Sequence, residues 1–159
     1  MDYQQILISI LAINYIGYVA TVWAKFGIQA SVSDSFRCWK IKWFNPFTLF
    51  CWIITGTLLP TVPNPFFLFA AGGAGFVGAA FNLDSVHVEK VHNKAAVTLI
   101  VAALLGIGFT FGAWWTVGIA VGLATILWLL KVKNLIWWVE HIAFGAVIFE
   151  LFKNFFKIT

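Results

Sequence analysis

The residues that could do chemistry lie in three short stretches. SVSDSF, Ser31–Phe36, supplies hydroxyls and the carboxylate of Asp34. NLDSVHVEKVHNKAAV, Asn82–Val97, supplies Asp84, His87, Glu89 and His92. WWVEHIAF, Trp137–Phe144, sets Glu140 beside His141. Imidazoles and carboxylates ligate transition metals and also act as general acids and bases. Glu89 and His92 with His141 or Glu140, a set that Asp34 could join, match a hydrolytic metal centre in ligand type, with a position left open for water. With Ser33 added, the candidate catalytic group is Ser33, Asp34, Glu89, His92, Glu140 and His141.

Spacing restricts what this group can do. If a helix begins near Asp84 or Ser85, either of which suits an N-cap, Glu89 and His92 are three apart and share a face. Ala96 shares that face, so it should look inward. His87 is five residues before His92, about 140° round the helix. The two histidines therefore cannot grip one metal as an HxxxH pair does, and His87 reads as a headgroup-region residue. The preferred expectation for the rest is a buried hydrogen bond between His92 and Glu140 that fixes one helix against another. A proton or ion path and a metal or catalytic site are the alternatives.

These polar residues sit in a very apolar chain. It is 62% hydrophobic and 10% charged, where soluble domains carry about a quarter charged residues, so its solvent should be lipid. Nine Trp and seventeen Phe suit interfacial aromatic belts. The net charge of +4 comes from basic residues placed between apolar runs. They read as topology signals and contacts for anionic lipid, and nucleic acid is not an expected partner. Cys38 and Cys51 form neither a metal pattern nor a disulfide framework. The first apolar run follows MDYQQ, which has no Lys or Arg, so it reads as a span rather than a cleavable signal.

Stepping outward to the elements that must hold these groups, six apolar runs can be drawn, at about 5–24, 47–61, 65–81, 86–111, 114–130 and 135–151. The expected fold is all-α: a polytopic membrane protein, a single transmembrane domain over 1–159, built as a six-transmembrane-helix bundle with short hairpin loops. PTVPNP makes one hairpin because proline cannot continue a helix. Gly112 ends one helix of the next hairpin, and Trp114–Trp115 begin the other. Lys25, Arg37, Lys40 and Lys42 follow the first run, Lys90 and Lys94 the third, and Lys131 and Lys133 the fifth; only Lys153 and Lys157 follow the sixth. The positive-inside rule makes the first group cytoplasmic and puts both termini outside. Glu140 and His141 then lie roughly 8–9 Å deep, and Glu150 should be an interfacial carboxylate near the opposite face, paired with Lys153 or Lys157.

Small residues mark the expected packing faces. Ala71, Gly75 and Ala79 form one ladder in the third run, with Ala70, Ala74 and Gly78 beside it; Gly118 and Gly122 form a GxxxG in the fifth. Such faces let helices approach closely in lipid. Asn14, Thr55 and Thr57 are expected to bond between helices.

FGIQASVSDSF, FVGAAF, EKVHNKAAV and WWVEHIAF occur in that order over roughly 26–150. This order resembles a group of small bacterial integral membrane proteins with relatives in phage genomes. Their pattern is an SxSDS-aromatic connector, a VHxxA opening the fourth helix and a WxE in the last. The resemblance implies a six-helix bundle with Ser33, Asp34, His92 and Glu140 at the matching polar positions, and it carries no activity with it. In ligand types alone the site is also similar to membrane-embedded alkaline ceramidases, which have seven helices and an HxxxH pair that this sequence lacks. The expected role is therefore a non-enzymatic membrane module of the bacterial inner membrane: a small permease, pore or assembly partner with a cytoplasmic polar cluster. The alternative is a metal-dependent lipid hydrolase using His92, His141 and nearby carboxylates. Membrane lipids are the expected partners, no cofactor is expected, and a pore from so short a chain would require a homo-oligomer.

Overall fold

A computed structural model describes residues 1–39, 45–61, 64–80 and 85–158, giving the helical backbone alone for residues 80 and 85–90. Among the described residues the chain is all-helical. The α-helices are α1 (Tyr3–Phe26), α2 (Pro46–Thr61), α3 (Pro65–Ala80), α4 (Ser85–Phe111), α5 (Trp114–Leu129) and α6 (Leu135–Phe155). A 3-10 helix, Ser33–Cys38, stands between α1 and α2.

Three helical segments are long and apolar enough to cross a membrane: Tyr3–Phe26, Val91–Phe111 and Leu135–Phe155. The helices α2, α3 and α5 are apolar but have 16 residues each. At 1.5 Å per residue they are about 24 Å long, short of the ~30 Å of a typical hydrocarbon layer. Length and composition thus identify three spanning candidates where the apolar runs suggest six.

Local sequence accounts for most helix ends. Asp2 and Gln5 form a reciprocal capping box at the start of α1, with bonds of 2.8 and 3.0 Å. α2 and α3 begin alike, each with Asn-Pro-Phe. Asn45 Oδ1 accepts from the Phe47 amide at 2.9 Å, and Asn64 Oδ1 from the Phe66 amide at 2.9 Å. In each the proline takes the first helical position, where no amide is needed. α2 continues through Pro60 to Thr61, one residue beyond the expected break; in the last turn proline forfeits one bond and no more. Gly112, with φ 65°, makes the α4–α5 turn, a conformation that a Cβ would strain.

α3 is the centre of the packing, with α2 on one side and α4 on the other. Ala70, Ala71 and Ala74 are fully buried. A Cβ on Gly73 would lie 2.9 Å from the Ala95 carbonyl oxygen and the Leu99 amide nitrogen, so the α3 and α4 backbones touch there. Gly78 and Gly75 face α2: a Cβ on Gly78 would meet the Cys51 Cβ at 2.8 Å, and one on Gly75 would meet Thr55 at 3.4 Å. Thr55 also donates to the Ala71 carbonyl at 3.0 Å, and Asn14 to the Phe50 carbonyl at 3.1 Å, both between helices as expected. Thr57 departs from expectation, because its hydroxyl returns to Ile53 of its own helix at 2.7 Å. The α5 glycines also depart: neither Gly118 nor Gly122 has a protein atom within 4 Å of a Cβ position.

Helices consecutive in the chain run antiparallel, and α4 and α6 pack side by side in the same direction. The starts of α1 and the ends of α2 and α6 meet where Gln4 donates to the Thr61 carbonyl and Gln5 to the Phe155 carbonyl. The opposite end gathers the end of α1, the 3-10 helix and the starts of α4 and α6. Ile13, Phe76, Phe109, Trp115 and Ile136 are exposed on the outer faces of five different helices. Soluble monomers rarely expose contiguous apolar surface on that scale, and the arrangement fits a membrane protein.

Candidate functional site

The site is built by the stretch between α1 and α2. Gly27, with φ 73°, ends α1 and turns the chain across the start of α6. The Trp137 amide donates to the Ala30 carbonyl at 3.1 Å, which ties this turn to the first turn of α6. The chain then enters the 3-10 helix, and Ser31, just before it, meets both the amide and the carboxylate of Asp34, three residues on.

The serines form a hydrogen-bond chain. His92 Nε2 lies 2.8 Å from Ser33 Oγ, Ser33 Oγ lies 2.9 Å from Ser31 Oγ, and Ser31 Oγ lies 3.1 Å from Asp34 Oδ2. The Asp34 amide also donates to Ser31 Oγ at 3.0 Å. The carboxylate sets the direction. Asp34 can only accept, so the Ser31 proton points to it. Ser33 must then donate to Ser31, which leaves the Ser33 oxygen to accept from His92 Nε2–H. Every hydroxyl is used once as donor and once or more as acceptor, running from His92 to Asp34.

A second anchor reaches α6. The Val32 amide donates to Glu140 Oε2 at 2.5 Å. Val32 is 3% exposed and Glu140 7%, so this is a hydrogen bond out of water. A third anchor reaches α1. Ser35 donates to the Val32 carbonyl at 2.5 Å and meets Tyr18 Oη at 2.6 Å, and Trp39 Nε1 donates to the same Tyr18 Oη at 3.2 Å. Lys25 stands over the Trp39 ring at 5.4 Å.

The expected direct pair of His92 and Glu140 is therefore corrected. Both residues bind the connector: His92 through the Ser33 hydroxyl and Glu140 through the Val32 amide. Helical spacing showed that both face inward but gave no sign that a loop would come between them. Ser33, Asp34, His92 and Glu140 are brought together in one cluster. His141 is one residue on from Glu140, about 100° round the helix, and leaves it. Its Nδ1 lies 2.6 Å from the Trp137 carbonyl of its own helix, so Nδ1 carries the proton. Its ring stacks near Trp137 and Tyr15, with centroids at 4.6 and 5.8 Å. The side chains of Glu89 and His87, and the whole of Asp84, lie outside the described residues. Among the described residues no three His, Cys, Asp or Glu side chains converge on one point.

Beneath the connector is a narrow crevice of about 20 Å³, lined by Val32, Ser33 and Glu140 and otherwise apolar. A second crevice, also of about 20 Å³, continues toward Leu11 and Val147 and has an apolar lining with Tyr15 at its edge. The chemistry open to the cluster is limited by its own bonds. With the proton on Nε2, His92 donates to the Ser33 oxygen, whereas activating a serine nucleophile would have the hydroxyl donate to the imidazole. The amides of Val32, Asp34 and Ser35 are each engaged, and so do not converge on a vacant oxyanion position.

Glu150 lies near the end of α6 beside Lys153, as expected, but its side chain is covered by the protein, at 2% exposure. It accepts from Thr116 at the start of α5 and from Asn154 Nδ2 at 3.3 Å, and Lys153 Nζ stands 4.0 Å away at the rim. The signal available was the Thr that follows Trp114–Trp115, one helix away across a tight hairpin. Nothing in the side-chain pattern pointed to the Val32 amide, which acts through its backbone.

Comparison with protein-family models, with curated proteins and with solved structures finds no match.

Proposed function

We propose that this chain is a non-enzymatic, multi-pass module of the bacterial inner membrane, a small permease, pore or assembly partner, whose α1–α2 connector is a clasp closing the cytoplasmic end of a six-span bundle. The observation that carries the reading is the connector's pair of anchors, Ser33 to His92 of α4 and the Val32 amide to Glu140 of α6. Buried polar groups in a membrane interior are stabilising when each has a partner, and a set of this kind specifies one helix arrangement. The antiparallel order of the helices supports six crossings, with α2, α3 and α5 shortened to suit a thinned bilayer. The described cations Lys25, Arg37, Lys131 and Lys133 follow helices that end on the clasp side, which the positive-inside rule makes cytoplasmic, so that both termini lie outside. The arrangement is also the one that the motif order implies.

Cysteine labelling tests both halves of the proposal. In a chain with Cys38→Ala and Cys51→Ala, Lys133→Cys is expected to react with an impermeant maleimide from the cytoplasmic side and Ala113→Cys from the other. Ser33→Cys is expected to react at least tenfold more slowly than Lys133→Cys. Labelling of positions 113 and 133 from one side defeats the six-span topology. Rapid labelling of position 33 defeats the closed clasp.

A further inference from the structure

α5 is held at its ends and open along its length. At one end Thr116 bonds the buried Glu150, and Trp114 packs against Gly108. Along the rest, Ala120 is the one residue of α5 that is fully buried, and Gly118, Gly122 and Gly145 of the facing α6 have no protein atom within 4 Å of a Cβ position. The consequence is an apolar groove of about 320 Å³ between α4, α5 and α6, lined by Leu104, Ala120, Ala124, Trp128, Val139 and Ala143. That lies within the roughly 300–1,000 Å³ typical of ligand-sized pockets.

The two ends of this groove differ. It occupies the last half of α5 and the first half of α6, so it runs toward the loop that joins them. Trp128 stands three residues before Lys131, and the connecting LKVKN, residues 130–134, has two exposed lysines and no acid. An apolar trough that ends at an aromatic ring and two cations matches a molecule with an acyl chain and an anionic headgroup. The groove's length, about 12 Å along α5 from Ala120 to Trp128, suits an extended chain segment rather than a compact solute.

The geometry points to a bound anionic phospholipid of the surrounding bilayer: one acyl chain lies along the α4–α5–α6 groove and the phosphate meets Lys131 and Lys133. The lipid fills the space that the α5 glycines and alanines leave open and completes the packing of a helix otherwise fixed only at its ends. This inference rests on the membrane reading above and adds a defined site to it.

The full chain, reconstituted in vesicles of equal phosphatidylglycerol and phosphatidylcholine and re-extracted in mild detergent, is examined by native mass spectrometry for retained lipid. Phosphatidylglycerol is expected to be retained over phosphatidylcholine by roughly tenfold or more, since each lysine near a headgroup favours the anion several-fold. Lys131→Gln with Lys133→Gln brings the ratio close to one. Lys25→Gln with Arg37→Gln, an equal loss of charge on the same end but away from the groove, leaves it within about twofold of the parent. Ala124→Phe, which fills the groove, lowers retention of both lipids. Equal retention of the two lipids by the parent chain, or an equal fall with both cation pairs, overturns the site while leaving the membrane reading intact. Retention of no lipid at all overturns both.

Discussion

Replacing Glu140 by alanine removes the acceptor of the Val32 amide and leaves the amide buried. Val32 is 3% exposed and Glu140 7%, so water is a poor substitute for the lost partner. An unsatisfied buried donor costs about 1–3 kcal/mol, and the space left by the side chain adds a cavity term. The combined loss should be about 2–4 kcal/mol. Glu140→Gln is the companion variant: its amide oxygen has nearly the same position and still accepts from the Val32 amide, so the loss should be about 1 kcal/mol. For a chain of this size 1 kcal/mol moves Tm by about 2–4 °C. Glu140→Ala is therefore expected to lower Tm by roughly 5–12 °C, and Glu140→Gln by about 2–4 °C. Thermal unfolding in mild detergent, followed by tryptophan fluorescence, measures both, with Trp137 and Trp138 adjacent to the substituted position. A Tm for Glu140→Ala within about 1 °C of the parent refutes the clasp as a stabilising contact. An equal fall for Gln and Ala refutes the hydrogen bond as its physical basis, because it would assign the effect to charge.

The remaining predictions address the other anchors. Ser33→Ala and His92→Ala should show a coupling of about 0.5–3 kcal/mol in a double-mutant cycle read by the same melting assay, and additive effects would mean that the 2.8 Å contact contributes nothing. Gly73→Ala should cost about 1–3 kcal/mol, since its Cβ would press on the α4 backbone, whereas Gly118→Ala in open space should be neutral or stabilising by up to about 1 kcal/mol. A reversed order would contradict the packing of α3 on α4. Thr116→Val should raise hydrogen exchange across α5 by roughly tenfold, while exchange in α3 stays unchanged, because it removes the bond to Glu150 that holds one end of α5. Uniform exchange in the variant and the parent would show that α5 is held by other contacts.

The apolar runs located the helices well because their boundaries carry strong local signals. Asn-Pro-Phe at two helix starts, Gly112 at a turn and the basic connectors are all readable without a fold, and observed helix limits fall within four residues of the runs. The candidate site was legible in part. Polar residues in an apolar chain are conspicuous, so Ser33, Asp34, His92 and Glu140 were among the six candidates, with Glu89 and His141 beside them. Their pairing was not legible, because a helix-face argument treats helices as the sole neighbours. It cannot anticipate that a loop will fold between two of them. Glu150 pairs with Lys153 as its place near the helix end suggested, but its burial was not legible, because that depends on whether another helix lies across it.

The sequence by itself determined a very apolar, all-helical chain, with polar groups concentrated in three stretches and cations placed mainly between the apolar runs. Composition, periodicity and helix-ending residues are local or additive properties, which is why they can be read in order along the chain. The tertiary structure alone decided that the Val32 amide meets Glu140 across 108 residues of sequence, that Ser33 rather than Glu140 faces His92, and that α5 packs loosely enough to leave a groove. Each of these depends on the relative positions of elements distant in the chain, and a hydrogen bond within about 3 Å is set by those positions rather than by the identity of either partner.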